Sequence, residues 1–317
     1  MQDLRIAAAQ FENRSGDKEY NLSVIDKLAR KAKESGAHAV SFHEQSVTGY
    51  TFLKDLSFDE LMDLAEPVPD GPSTQRLIEI ATQYDIAVLA GVLEHEAGKI
   101  YKAYVCVDKH GFKAKHRKLH PFINKHISPG NEYVTFDLHG WTCSMLICYD
   151  NNVIENVRAV TLLGAQVLFA PHVTMCTPST RPGAGFVDPK LWENRHRDPA
   201  ALRLEFDGPK GMRWLMRWLP ARAYDNGIYV VFSNPIGMDA EQLKNGNPMI
   251  LDPFGETVAE LKSFDDDIAV GTCTPEKLTQ AGGYRYRKAR RPELYGAILA
   301  QEHESLTKPV WLAEEKR

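Results

Sequence analysis

The sequence lacks any apolar run close to the ~20 residues that a membrane-spanning helix needs, and it lacks an excess of either charge. The formal net charge is -4 at pH 7, which provides no positive field to attract nucleic acid or anionic lipid. The N-terminus carries Asp3 and only a short apolar run, so we expect no signal peptide. These absences favour a protein that acts on small molecules and contacts neither a membrane nor nucleic acid.

Cysteine is also scarce, and its distribution does not suggest a disulfide framework. The five cysteines are Cys106, Cys143, Cys148, Cys176 and Cys273, an odd number without compact spacing. Free thiols of this kind are typical of a reducing compartment. We therefore expect a cytoplasmic protein.

Strand and helix patterns alternate along most of the 317 residues, 43% of which are hydrophobic. Residues 5–11 read as a strand, Asn21 is a candidate helix cap, and residues 37–42 read as a short buried strand that is followed by polar residues. Hairpins are predicted around 109–111 and 253–255. The alternation predicts one α/β domain built on mixed sheets.

Helices are expected from about 152 to 163 and from about 212 to 226. Between them, residues 176–210 are rich in Pro, Arg, Asp and Gly. Long irregular segments inside compact domains are often functional. This segment is therefore a candidate lid.

Cys148 follows the apolar residues 145–147 and precedes the expected helix at 152. Its sulfur should lie at the carboxyl end of a strand and beside a helix N-terminus, and both features favour a thiolate. A buried structural cysteine is the competing interpretation. A cysteine nucleophile also needs a base and an oxyanion stabiliser.

Three further polar residues lie at the ends of predicted strands or turns. Glu44 closes the strand at 37–42, Lys118 ends a hairpin strand, and Glu132 follows a Pro-Gly turn. A carboxylate at Glu44 is costly to bury unless it is paired. Taken singly, each residue could equally be a surface or capping group.

Taken together, four segments resemble the signature of the nitrilase, or carbon–nitrogen hydrolase, superfamily. They are FHEQSVTGY, HRKLHPF, PGNEYVTF and LICYD, and blocks such as LGAQVLFAP and MILDPFGETVAE follow in the family's order. The resemblance covers roughly residues 4–298. His43 stands where the family commonly has proline, and VIE follows CYDNN where the family commonly has an FPE-like sequence.

The resemblance implies a four-layer α-β-β-α sandwich, with residues 1–298 as a single domain. It also implies a homodimer or a higher homo-oligomer, in which the tail 299–317 contacts a partner subunit. The implied triad is Glu44 as base, Lys118 as oxyanion stabiliser and Cys148 as nucleophile, with Glu132 orienting Lys118 or the substrate. No metal or other cofactor is required.

The implied reaction is hydrolysis of a linear amide or N-carbamoyl compound to an acid and ammonia through a cysteine thioester. The segment CYD is more like the amidase and carbamoylase branches than the true nitrilases. Alternatives that remain open are a nitrilase or an N-acyltransferase with the same triad, and a family member that only binds a ligand. The residues do not identify the substrate.

The remaining candidates concern substrate contacts and metal binding. Tyr149 and His172 are candidate substrate contacts, and Arg181 is a weaker candidate partner for a substrate carboxylate. His116 and His120 have the i,i+4 spacing of helical metal ligands but lack the glutamate of a zinc-protease helix. The basic residues at 285–291 are more typical of a subunit contact or a solvated face than of nucleic-acid binding.

Overall fold

A computed structural model describes residues 1–121, 123–174 and 185–302 of the chain. The strands among these residues are β1 (Leu4–Gln10), β2 (Ala39–Ser41), β3 (Ala87–Glu96), β4 (Lys99–Asp108), β5 (Gly111–Arg117), β6 (Thr135–Leu138), β7 (Trp141–Met145), β8 (Val167–Pro171), β9 (Tyr229–Ser233), β10 (Ile236–Asp239), β11 (Gln242–Asn245), β12 (Met249–Leu251), β13 (Thr257–Glu260) and β14 (Asp267–Cys273).

The α-helices within the described ranges are α1 (Lys18–Glu34), α2 (Phe58–Leu64), α3 (Pro72–Tyr84), α4 (Ile154–Leu162), α5 (Pro189–Glu193), α6 (Pro199–Asp207), α7 (Met212–Leu215), α8 (Leu219–Tyr224), α9 (Pro275–Gln280), α10 (Gly282–Lys288) and α11 (Pro292–Leu299). None of them is both long and apolar enough to span a bilayer.

Most strands belong to two six-stranded mixed sheets. The first sheet has the order β14-β1-β2-β3-β4-β5, and the second has the order β13-β12-β9-β8-β7-β6. The central strands β1, β2 and β3 run parallel, as do β7, β8 and β9. Their carboxyl ends therefore lie along one edge of each sheet, where the polar residues of the site follow them.

The core shows how the layers stack. Leu89 and Tyr104 of the first sheet share one buried cluster with Phe169 and Tyr229 of the second, so the two sheets pack face to face. The other face of the first sheet packs against α1 and α3, and the other face of the second sheet packs against α4, α6, α7 and α8. This arrangement confirms the predicted α-β-β-α sandwich.

The hairpins predicted around 109–111 and 253–255 join β4 to β5 and β12 to β13. The expected cap at Asn21 was wrong, because α1 begins earlier and the Asp17 side chain accepts a hydrogen bond from the Tyr20 N–H. Asn21 is instead buried, and its side-chain amide donates to the carbonyls of Arg14 and Val47. It therefore ties the start of the helix to the loop that follows Glu44.

Two further expectations need correction. The single helix expected from 212 to 226 is two short helices, α7 and α8, because Pro220 has no N–H to donate to a preceding turn. The described part of the expected lid, residues 185–210, is not irregular, since it contains α5 and α6. Each of these helices has an aspartate cap followed by proline, Asp188 for α5 and Asp198 for α6. Residues 176–184 of that segment lie outside the described residues.

Candidate active site

Glu44 lies three residues beyond the end of β2 and is 1% exposed. The next residue, Gln45, has a left-handed φ of 55°, which turns the chain sharply across β3. A Cβ atom at Gly91 of β3 would overlap the backbone nitrogen of Gln45 and lie 2.9 Å from the carbonyl carbon of Glu44. The Glu44 N–H also donates to the carbonyl of His172 at 3.4 Å, so both sheets hold the turn that presents this carboxylate.

Lys118 follows β5 directly and is fully buried. Its backbone N–H donates to the carbonyl of Lys102 at 2.9 Å, and its own carbonyl accepts from Gly130 at 2.8 Å. The side-chain Nζ lies 2.7 Å from Glu44 Oε1. Burial by itself lowers the pKa of Lys118, but the Glu44 carboxylate opposes it and the pKa is raised overall. Lys118 is therefore a buried ammonium group.

Cys148 opens a short 3₁₀ turn, Cys148–Asn151, after β7. Its φ is 50°, a left-handed backbone conformation that residues other than glycine seldom adopt and that is often found at functional sites. The side chain is 7% exposed, and Sγ lies 3.8 Å from the carbonyl of Val173. The turn thus projects the sulfur away from the direction of the strand.

The expectation that Cys148 is a thiolate does not hold at neutral pH. Burial raises the pKa of the Cys148 thiol to about 11; the positive charge of Lys118 opposes this shift and the negative charge of Glu44 adds to it. The adjoining turn has only four residues, so its dipole is too small to offset the loss of water. The thiol therefore needs a base before it can attack.

Asp150 joins the Cys148 turn to the Lys118 segment. Its carboxylate accepts from the backbone N–H groups of Ile147, Leu119 and His120 at 3.1, 3.2 and 2.9 Å. His116 Nε2 is 3.4 Å away. Burial by itself raises the pKa of Asp150, but the hydrogen bonds from the two histidines outweigh burial and hold the pKa well below its ordinary value. A buried carboxylate thus fixes the Cys148 turn and the Lys118 segment relative to each other.

The two histidines considered as metal ligands, His116 and His120, both contact Asp150. Within the part of the chain that the structure describes, no group of three or more His, Cys, Asp or Glu side chains is arranged to hold a metal ion. The pair therefore belongs to the Asp150 network.

A second lysine, Lys102 on β4, lies beside Glu44. It is fully buried, and its Nζ is 3.5 Å from Glu44 Oε1 and 3.7 Å from the centre of the Tyr50 ring. Sequence reasoning missed Lys102, although a lysine enclosed by apolar residues in KIYKAYVCVD is a detectable signal. It also assigned no role to Asp150, which is part of the CYD segment.

The other predicted site residues differ in position. Glu132 is exposed, and no hydrogen bond or ion pair joins it to another described residue, so the structure does not bring it into contact with Glu44, Lys118 and Cys148. Tyr149 is partly buried and packs edge-to-face on His120 at 5.8 Å. Arg181 lies outside the described residues.

His172 follows β8 and is buried, with its Nε2 3.3 Å from the side-chain nitrogen of Asn151. Burial, with a smaller contribution from the charge of Lys118, lowers the pKa of His172 to about 3. The ring is neutral at pH 7, so it can act as a hydrogen-bonding group but not as a cation for a substrate carboxylate.

A buried thiol acted on by the charges of a buried carboxylate and a buried ammonium group could supply the nucleophile, the base and the oxyanion stabiliser that covalent hydrolysis requires. The comparison with known families agrees, since the model of the carbon–nitrogen hydrolase family matches residues 5–282. The chain belongs to this family and is a hydrolase of carbon–nitrogen bonds.

Similar proteins include an (R)-stereoselective amidase of a Pseudomonas species, which is 28% identical over 92% of this chain and 93% of its own length. An omega-amidase of Mus musculus is 29% identical over 82% of this chain and 85% of its own. A solved structure with a similar fold is a mutant of the amidase from Nesterenkonia sp. AN1, with a TM-score of 0.68, 22% identity and coverage of 93% of this chain and 96% of that one. That structure shows covalent addition of the acetamide moiety of fluoroacetamide at the active-site cysteine.

Proposed function

We propose that the protein is an amidase that hydrolyses a linear amide or N-carbamoyl compound through a thioester on Cys148. The observation that carries this proposal is the contact between two fully buried groups, Lys118 Nζ and Glu44 Oε1, at 2.7 Å. The names of similar proteins, which include amidases and an N-carbamoylputrescine amidase, support the substrate class.

Acylation begins with proton transfer from the Cys148 thiol to Glu44. The second carboxylate oxygen of Glu44, Oε2, is buried and has no hydrogen-bond partner among the described residues, so it is the oxygen suited to accept this proton. The sulfur attacks the amide carbonyl, and negative charge develops on the carbonyl oxygen. Lys118 and the backbone N–H of Tyr149 stabilise that oxyanion. Once Glu44 is protonated and neutral, it attracts the Lys118 ammonium group less strongly, so Lys118 can donate a hydrogen bond to the oxyanion.

The tetrahedral intermediate collapses when Glu44 gives its proton to the departing nitrogen. The carbon–nitrogen bond breaks, ammonia leaves, and the acyl group remains on sulfur as a thioester. Water then gives a proton to Glu44 and attacks the thioester carbonyl. The carbon–sulfur bond breaks, the acid leaves and the thiol regains its proton, so the cycle ends with Glu44 ionised.

The neighbouring histidines are less suited than Glu44 to act as the base. Burial lowers the pKa of both His43 and His172 to about 3, and the charged groups that act on the Cys148 thiol are Lys118, Glu44 and Lys102, not these histidines. His43 packs on Phe11 with ring centres 4.7 Å apart, which places its ring among core residues. Glu44 is the buried carboxylate whose charge acts on the thiol.

The test is ammonia release from a panel of linear amides, N-carbamoyl amino acids and nitriles, followed by intact mass after a brief substrate pulse. We expect ammonia from one amide-like class and a transient acyl adduct on the wild type, and neither with Cys148→Ala. Cys106→Ala is the matched control, because Cys106 is also a buried cysteine but lies on β4 opposite Leu89, toward the amino end of β3 and away from the carboxyl edge of the sheet.

Two results would contradict the proposal. One is turnover in Cys148→Ala equal to that of the wild type. The other is a folded wild-type protein that releases no ammonia from the panel and whose Cys148 does not react with iodoacetamide at pH 7.

A further inference from the structure

Lys102 is an unusual residue for the interior of a sheet. It lies in the middle of β4, where its backbone pairs with Leu93 of β3 and bonds to Lys118 beyond the end of β5. Its side chain is 0% exposed. A buried ammonium is costly unless a charged partner offsets the loss of water. The proposed mechanism assigns no role to this residue.

Lys102 contacts the same carboxylate oxygen that Lys118 contacts. Glu44 Oε1 lies 3.5 Å from Lys102 Nζ and 2.7 Å from Lys118 Nζ. The face of the Tyr50 ring covers Lys102 at 3.7 Å, which is a favourable cation–π distance. Two cations therefore converge on one oxygen of Glu44, and the other oxygen, Oε2, has no hydrogen-bond partner among the described residues.

We propose that Lys102 is a positioning residue, whose ammonium group, together with Lys118, holds Oε1 of Glu44 and thereby presents Oε2 to the reacting proton. This inference rests on the proposed function of Glu44 as the base. A carboxylate held by a single contact can rotate about its terminal torsion, which is broad. Two cations on one oxygen restrict that rotation, and the Tyr50 ring limits where Lys102 itself can move.

The electrostatics give Lys102 a property that Lys118 lacks. Burial lowers the pKa of Lys102 to about 7; the Glu44 carboxylate and Cys148 oppose this shift, and the charge of Lys118 adds to it. Among the described side chains, these groups and the Tyr50 ring face it. The ammonium form is therefore lost as the pH rises through neutrality, and the second contact on Oε1 weakens with it.

The test compares the wild type with Lys102→Met, Lys102→Arg and Lys244→Met by measuring kcat and KM for amide hydrolysis from pH 5.5 to 9. Methionine removes the charge while keeping an unbranched chain, and arginine keeps a charge that does not titrate in this range. Lys244 is a buried lysine on β11 whose Nζ bonds Gln242 Oε1 at 2.6 Å. Thermal unfolding checks that each variant is folded.

In the wild type we expect kcat/KM to decline above about pH 7. In Lys102→Met we expect kcat to fall about 10- to 100-fold, as misplacement of a catalytic group does, with a much smaller change in KM and no inflection near pH 7. Lys102→Arg should recover part of kcat and move the decline to higher pH, and Lys244→Met should keep the wild-type profile.

The inference is overturned if folded Lys102→Met has a kcat within about twofold of the wild type, if it keeps the same inflection, or if the wild-type profile rises through pH 7. Failure of the proposed function is a different result. If the wild type hydrolyses the substrate and Glu44→Gln does so equally well, the role of Glu44 as base is wrong. If turnover depends on Glu44 but not on Lys102, only the present inference is wrong.

Discussion

Replacing Glu44 by glutamine is the sharpest test of the proposed chemistry, because it removes the proposed base while keeping the shape of the side chain. The amide oxygen of the new glutamine side chain can still accept from Lys118, so the local packing should survive. Lys118 would then face a neutral partner, and Lys102 would lose the carboxylate that raises its pKa and with it part of its positive charge at pH 7. Breaking a buried ion pair in this way costs about 3 kcal/mol, so the variant should be less stable but folded.

The size of the expected rate loss follows from the pKa of the Cys148 thiol. With a pKa of about 11 for Cys148, the thiolate fraction at pH 7 without a base is about 10⁻⁴, which corresponds to about 5 kcal/mol. Glu44 also raises the pKa of Cys148, so its removal returns part of this loss. We therefore expect kcat/KM for acylation to fall about 10³- to 10⁴-fold.

The assay is the rate of acyl-adduct formation by intact mass in a single turnover, measured from pH 6 to 10. In Glu44→Gln the rate should rise about tenfold per pH unit, because the thiol must now ionise by itself, whereas the wild-type rate should not rise in this way. A folded variant within about tenfold of the wild type at pH 7, or one whose rate does not depend on pH, would refute Glu44 as the base.

Three further substitutions test how the site is held together. Gly91→Ala should lower the free energy of unfolding by about 1–3 kcal/mol through overpacking and reduce kcat at least about tenfold, because the new methyl group displaces the Glu44 turn. The control is Gly296→Ala, whose Cβ would meet no atom within 4 Å. Equal activity of the two variants would contradict the packing argument. Asp150→Asn should lower the free energy of unfolding by about 2–4 kcal/mol near pH 7. The pKa of Asp150 is depressed in the folded state, so this difference in stability should be present above the ordinary aspartate pKa of about 3.9 and should shrink as the pH falls below it. Urea unfolding at pH 7 and pH 3 measures the difference. A difference that does not change with pH would show that the charge of Asp150 is not its cause. Glu132→Gln should keep kcat/KM within about twofold of the wild type, since its side chain is exposed, and a loss of more than about tenfold would show that Glu132 takes part in the reaction.

The sequence predicted those parts of the protein that depend on local pattern. Alternating strands and helices predicted the layered α/β fold. Apolar runs that end in a polar residue located Glu44 and Cys148 near the carboxyl ends of strands. Aspartate followed by proline also predicts helix starts, and this signal at Asp188 and Asp198 was present within a segment interpreted as irregular.

Contacts between distant segments depend on the tertiary structure. Glu44 and Lys118 are 74 positions apart, and the distance between their charged atoms is fixed by the order of strands in the first sheet. The position of Lys102 beside them depends on the pairing of β4 and β5, whose register shifts between Cys106 and Val107. A shift of one residue moves side chains to the opposite face, so the pattern of KIYKAYVCVD alone cannot place Lys102 at the site.

The sequence by itself therefore determined the family, the layered fold and the residue types of the site. Only the tertiary structure decided their protonation states and their neighbours. Burial raises the pKa of the Cys148 thiol and lowers that of Lys102, and Glu132 remains exposed, only two residues beyond Gly130, which bonds to Lys118. The physical reason is that desolvation and charge pairing depend on which groups exclude water together, and these groups come from strands that are far apart in the chain.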